Sequence, residues 1–213
     1  MKGVLVELDL FWKGLLIGLA IAAPVGPIGV LCIRRTLNEG RLAGFVTGMG
    51  AATADGFYGA VAALGISAIS SRLVDHADAI RLIGGGFLCY LGARTLFAPA
   101  AANTATAGGR GLLGIYGSSL ALTITNPTTI LSFVAVFAGL GLAESDGDRE
   151  AASWVVAGVF LGSAIWWLFL SNVVGLFRRA LTPDRRIWIN RLSGVVLLGF
   201  GVVALVAALR SVR

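Results

Sequence analysis

One acidic residue of this chain stands deep inside an apolar run, Asp55 in Gly50-Ala51-Ala52-Thr53-Ala54-Asp55. On insertion scales a carboxylate there costs about 2.5 kcal/mol or more, so its default reading is an ion pathway, a proton relay or a counter-charge for a substrate. The structural alternative is a carboxyl that hydrogen-bonds a neighbouring helix. Two other stretches break the chain where a polar solute could be met. Ala22-Ala23-Pro24-Val25-Gly26-Pro27 interrupts the apolar run 11–33, and the two prolines leave the carbonyls of Ala20 and Ala23 without their usual helical partners. Ser118, Ser119, Thr123, Thr125, Asn126, Pro127, Thr128, Thr129 and Ser132 make the centre of a later run polar. There Pro127 frees the carbonyl of Thr123, which the hydroxyls and the Asn126 amide could compensate while also coordinating a solute. Broken backbone at membrane depth is tolerated where it is buried in protein or lines a watery cavity. Breaks at corresponding places in two halves point to a transporter-like binding site, whereas a bare proline kink would carry no ligand.

The elements that must hold these groups are membrane helices. With 57% hydrophobic and 13% charged residues and a mean hydropathy of +0.87, the chain lies far from a soluble domain, whose charged share is ~25%. Its 213 residues accommodate roughly six helices of about 20 residues. They fall at 11–33, 44–69, 80–97, 112–140, 154–177 and 187–209. On the second, Gly44, Gly48, Ala51, Asp55, Gly59 and Ala62 share one face at helical spacing. A face of small residues lets helices approach closely and turns Asp55 into the bundle. The Ala/Thr/Gly-rich segment 99–111 reads as a linker. Arg81-Leu82-Ile83-Gly84 and Arg191-Leu192-Ser193-Gly194 open the third and sixth spans alike. The expectation is an all-α membrane protein forming a single domain 1–213, with six transmembrane helices as two inverted three-helix repeats. The halves are 1–98 and 112–213, and proline breaks the first and fourth helices.

Several other features are read as structural. The net charge of +6 comes from arginines between the spans rather than along one aromatic-studded face, which argues topology signals and no nucleic acid. Cys32 and Cys89 sit in apolar surroundings without C-x-x-C or a nearby histidine. His76, the sole histidine, shares a polar loop with Asp75. The acidic loop 144–150 has D-x-D but not the length or closing glutamate of an EF-hand. Trp166 and Trp167 lie mid-span and are candidates for the wall of a substrate cavity, Trp166 being taken as the site residue and packing the alternative. Breaks at Pro24 and Pro27 argue against a cleavable signal peptide. Loops one, three and five carry ten lysines and arginines against seven elsewhere, which favours a cytoplasmic side for those loops and both termini outside.

Ala23-Pro24-Val25-Gly26-Pro27, Gly50 to Asp55, Tyr90-Leu91-Gly92, Thr125-Asn126-Pro127 and Trp188-Ile189-Asn190-Arg191-Leu192-Ser193-Gly194 resemble the LysE-type (LysE/RhtB) amino-acid exporters of bacteria over essentially the whole chain. The resemblance implies a multi-pass inner-membrane carrier, not an enzyme, that exports amino acids or close derivatives under the proton gradient. Thr128 stands where that family commonly has lysine. The candidate substrate and gating residues are Pro24, Gly26, Pro27, Asp55, Thr125, Asn126, Pro127 and Trp166, with Asp55 also coupling protons. No metal or cofactor is expected. The expected partners are the amino acid and the bilayer, and a homo-oligomer is left open. A divalent-cation exporter would want several intramembrane carboxylates, a thiol-redox carrier two thiols within reach, and a membrane hydrolase a nucleophile beside a base.

Overall fold

The computed structural model describes residues 2–24, 26–63, 77–97, 111–126, 129, 132–133, 149–180 and 182–211. Among them are seven α-helices and no strand: α1 (Lys2–Ala22), α2 (Pro27–Glu39), α3 (Arg41–Ala63), α4 (Ala77–Leu96), α5 (Leu112–Ile124), α6 (Arg149–Leu176) and α7 (Pro183–Ser211). A 3-10 turn, Phe177–Ala180, joins α6 to α7.

The first apolar run is two helices rather than one. Ala23 N–H closes the last turn of α1 onto the Leu19 carbonyl at 2.9 Å. The chain then passes the prolines and restarts with Pro27 at the first position of α2, where a missing N–H costs nothing. The two helices meet at 78°. The second continues past Ile33 to Glu39, so Arg34 and Arg35, expected in a loop, belong to its last turns. Gly40 ends it at φ +109°, a backbone region open to glycine, and donates its N–H back to the Arg35 and Thr36 carbonyls. With α3 starting at Arg41, α2 and α3 form a tight antiparallel hairpin.

Small residues set the remaining contacts. Gly14 and Gly18 of α1 lie against Val155 and Val159, and Gly158 and Gly162 of α6 lie against Leu15 and its neighbours. The two helices therefore run parallel, so close that a Cβ on any of these glycines would strike facing backbone. On α3, Gly44 meets Ser171, Gly48 meets Trp167 and Gly59 meets Val159, an antiparallel seam with α6. Gly50 faces Tyr116 and Ser119, and further along both helices Tyr58 bonds the Ile124 carbonyl, which together set α5 parallel to α3. Gly85 and Gly92 of α4 meet Gly201 and Gly194 of α7, again antiparallel. Helix α2 lies in the middle, touching α3, α5, α6 and α7.

Residues Ala152–Leu176 and Ile187–Arg210 are each long and apolar enough to cross a membrane, as is the bent α1–α2 pair taken as one span. Helix α3 is not so apolar. Its 23 residues are mostly enclosed by other helices, so glycine, threonine and Asp55 need not face hydrocarbon. The fourth span expected at 112–140 is helical to Ile124. Pro127 and most of the residues between it and Arg149 lie outside the described residues, as does most of the linker 99–111.

Candidate functional site

A cavity of about 270 Å³ opens where the α1–α2 break meets α3, the end of α5, α6 and α7. Ala22, Pro24, Gly26, Pro27 and the first turn of α2 make one wall, and Ala51 and Asp55 another. Thr123, Asn126, Thr129 and Ser132 supply polar groups from α5 and beyond, and Trp167 and Phe200 close it from α6 and α7. Five of the candidate residues, Pro24, Gly26, Pro27, Asp55 and Asn126, therefore share one space. Thr125 caps α5 and lines an adjoining cavity of about 180 Å³ instead, which shares Pro27, Asn126 and Phe200 with the first. Pro127 is outside the described residues. Trp166 does not line the cavity: it is half-buried against Phe169, 5.7 Å between ring centres, and its neighbour Trp167 turns inward.

Asp55 is 3% exposed. Ser163 Oγ donates to its Oδ2 at 2.7 Å, and Trp167 Nε1 donates to that same Ser163 oxygen at 3.1 Å. One carboxylate oxygen is thus oriented by a two-step relay from α6. Sequence reasoning passed over Ser163 and chose Trp166 over Trp167 as the site residue, although Val159, Ser163, Trp167 and Ser171 recur every four residues on one buried face. The N-terminus of α2 lines the same cavity as Asp55. Its N-cap, Gly26, offers no side-chain cap, and the first N–H groups of a helix have no intrahelical acceptor. With the helix dipole they favour an anion. A carboxylate and a positive helix end facing one cavity can hold a solute that carries both signs of charge.

Polar contacts fix the surrounding frame. Tyr58 Oη donates to the Ile124 carbonyl, and Tyr116 Oη to Thr53 Oγ1 at 2.9 Å, tying both ends of α5 to α3. Arg35, read from sequence as a topology signal, is 5% exposed and bonded to α3 and α5. Cys32 is fully buried and donates to the Gly44 carbonyl, while Cys89 lies against Gly201 on α7. A larger and more open groove, about 790 Å³, runs between α3 and α6 along Gly56, Ala60, Ala152 and Phe160, but no charged group among the described residues lines it.

The LysE type translocator family model matches residues 19–208. The uncharacterized membrane protein YahN of Escherichia coli K12 is 29% identical over 81% of this chain and 77% of its own length. The putative amino acid efflux protein YcgF of Bacillus subtilis 168 is 25% identical over 91% of this chain and 94% of its own. A leucine efflux protein of Salmonella typhimurium LT2 is 25% identical over 60% and 61%. No solved structure matches this chain.

Proposed function

Since this chain belongs to the LysE type translocator family, we propose that it is an inner-membrane carrier that exports amino acids or close derivatives and couples their exit to the proton gradient. The observation that carries this reading is the convergence of the α1–α2 break, the end of α5 and Asp55 on one cavity. An α-amino acid is a zwitterion. Asp55 offers a counter-charge to its ammonium, and the N-terminus of α2 offers unpaired N–H groups and a positive dipole to its carboxylate. Half-helix ends serve carboxylates this way in transporters with broken spans. Ile21, Ala22, Ala51 and Trp167 then surround the side chain. A buried carboxylate that alternately takes a proton and an ammonium gives the coupling, because each excludes the other. Similarity to proteins named for amino-acid and leucine efflux supports the same class.

For the architecture we propose six crossings in one domain, two inverted three-helix repeats at 1–98 and 112–213 about the linker 99–111, with both termini outside. The support for the outside termini is the lysine and arginine bias of the loops, and the support for the repeats is the direction of the pairs. The parallel pair α1–α6 has a counterpart in the parallel pair α5–α3, while α3–α6 and α4–α7 are antiparallel. Exchanging two halves about an axis in the membrane plane requires that pattern. The cation-exporter and thiol-redox readings draw less from the site. Asp55 is the one carboxylate on the cavity wall among the described residues, and the two thiols lie on α2 and α4 against different neighbours. The test is efflux from proteoliposomes loaded with single amino acids, with and without an imposed pH gradient. At least one amino acid is expected to leave faster with the gradient. Gradient-independent leakage for all of them, from correctly folded protein, would reject the proposal.

A further inference from the structure

The second cavity, about 180 Å³, adjoins the one that holds Asp55 and shares Pro27, Asn126 and Phe200 with it. It lies between α4 and α7, and the end of α5 completes its wall. Gly84 allows that closeness: a Cβ there would strike the Thr125 carbonyl oxygen, so α4 packs directly onto the end of α5. Because α4 and α7 run antiparallel, Leu88 stands near Phe200 at the shared end, and Arg81 stands near Ala204 and Ala207 at the far end. Seven residues separate Arg81 from Leu88 and Phe200 from Ala207, about 10 Å at 1.5 Å per residue.

Along that length the wall is glycine and aliphatic side chain, from Gly84, Gly85 and Leu88 on α4 to Val203 and Ala204 on α7. The Thr125 hydroxyl is turned back onto its own helix, donating to the Ala121 carbonyl at 2.8 Å. Among the described residues Arg81 is the one charged group that lines this cavity. Its Nη1 donates to Asp78 Oδ1 at 2.7 Å, one turn back on α4, and it is the arginine rather than Asp78 that reaches the wall. An ammonium entering here would meet a like charge, and a second carboxylate would have to compete with Asp78 for the guanidinium. Either charge would also give up water for aliphatic surroundings, which is costly. A hydrocarbon or thioether tip gives up no such hydration and buries apolar surface.

We infer that this second cavity is the subsite for the far end of the substrate's side chain, and that it selects amino acids with long, neutral, apolar side chains over basic and acidic ones. The Asp55 cavity then takes the ammonium, the carboxylate and the first carbons of the side chain, and Phe200, which lines both spaces, marks the passage between them. A side chain as short as that of alanine needs the first cavity alone, whereas one as long as that of methionine reaches the second. Repulsion at Arg81 contributes to the selectivity together with the apolar fit, since discrimination is a difference of affinities. The inference rests on the amino-acid export reading and adds to it the class of side chain that is carried.

Efflux of alanine, methionine and lysine, each loaded singly into proteoliposomes, tests it. The wild-type protein should export methionine roughly tenfold or more faster than lysine. Ala204→Phe fills the pocket and should lower the ratio of methionine to alanine export by roughly tenfold. Because a larger residue at Ala204 can also disturb the packing of α7 on α4, a second variant leaves the volume of the pocket wall nearly alone. Arg81→Gln removes the like charge, and the partly exposed pair it breaks adds little to folding. Its ratio of lysine to methionine export should rise several-fold. Lysine export by the wild type as fast as that of methionine, or a folded variant of either kind whose ratio matches the wild type's, would overturn the inference and leave the export reading standing. Failure of the wild-type protein to move any amino acid would instead overturn the export reading, and this inference with it.

Discussion

Ser163 Oγ donates to Asp55 Oδ2 at 2.7 Å across the α3–α6 seam, and the same oxygen accepts from Trp167 Nε1. The hydroxyl thus ties Asp55 to the indole that forms part of the cavity wall. Replacing it by alanine leaves a buried carboxylate oxygen and a buried indole N–H without these partners. A buried group stranded in this way costs about 1–3 kcal/mol. Ser163→Ala should therefore melt at a lower temperature and export more slowly, with altered Trp167 emission. Unchanged melting and unchanged emission would mean that the relay contributes nothing.

The α1–α6 contact makes a second prediction. Gly18 and Gly162 pack against Val159 and Leu15 with no room for a side chain, whereas a Cβ on Gly117 or Gly199 would meet nothing within 4 Å. Overpacking a close-packed interior costs typically ~1–3 kcal/mol and sometimes more. Gly18→Leu and Gly162→Leu should lower the yield of monodisperse protein in detergent, and Gly117→Ala should not. Equal yields for all of them would show that α1 and α6 do not pack this closely.

The break itself separates structure from function. Gly26 has an ordinary φ of −103° and space around it, so Gly26→Ala should fold normally while its methyl group narrows the cavity and weakens substrate binding. Pro27→Ala restores an N–H and lets α2 extend backwards into the break, since proline at the first position fixes where the helix starts. Export by Pro27→Ala should fall further than the amount of folded protein in the membrane, and Pro127→Ala should behave alike. Parallel loss of both quantities would reduce the break to a kink.

How much of this was legible depended on the kind of signal. Pro24 and Pro27 announce a break because their backbone has no N–H, and the small face of α3 announces close packing because Gly44, Gly48 and Gly59 recur at helical spacing. Together they placed Asp55 inward. The 78° turn between α1 and α2 was not legible, since apolar residues continue on both sides and hydropathy carries no direction. Trp167 was not distinguished from Trp166 because α6 is apolar around most of its girth. Only the four-residue register through Ser163 picks out the inward indole. Arg35 looked like a loop arginine because it neighbours Arg34 and a charged turn. Its burial is decided by α5, a helix far away in sequence whose first two turns supply two of its acceptors.

That Asp55 is where solute and proton gradient meet is tested most directly by export from proteoliposomes carrying Asp55→Asn. The amide keeps the size of the side chain and can still accept from Ser163, but it cannot carry a charge or exchange a proton at neutral pH. Gradient-driven export should be abolished in vesicles that hold as much folded protein as the wild type. Exchange measured without a gradient then separates the two tasks, being retained if Asp55 only couples protons and lost if it also holds the ammonium. Full gradient-driven export by the Asn variant, at normal abundance, would contradict both roles and leave Asp55 as a hydrogen-bonded packing residue between α3 and α6.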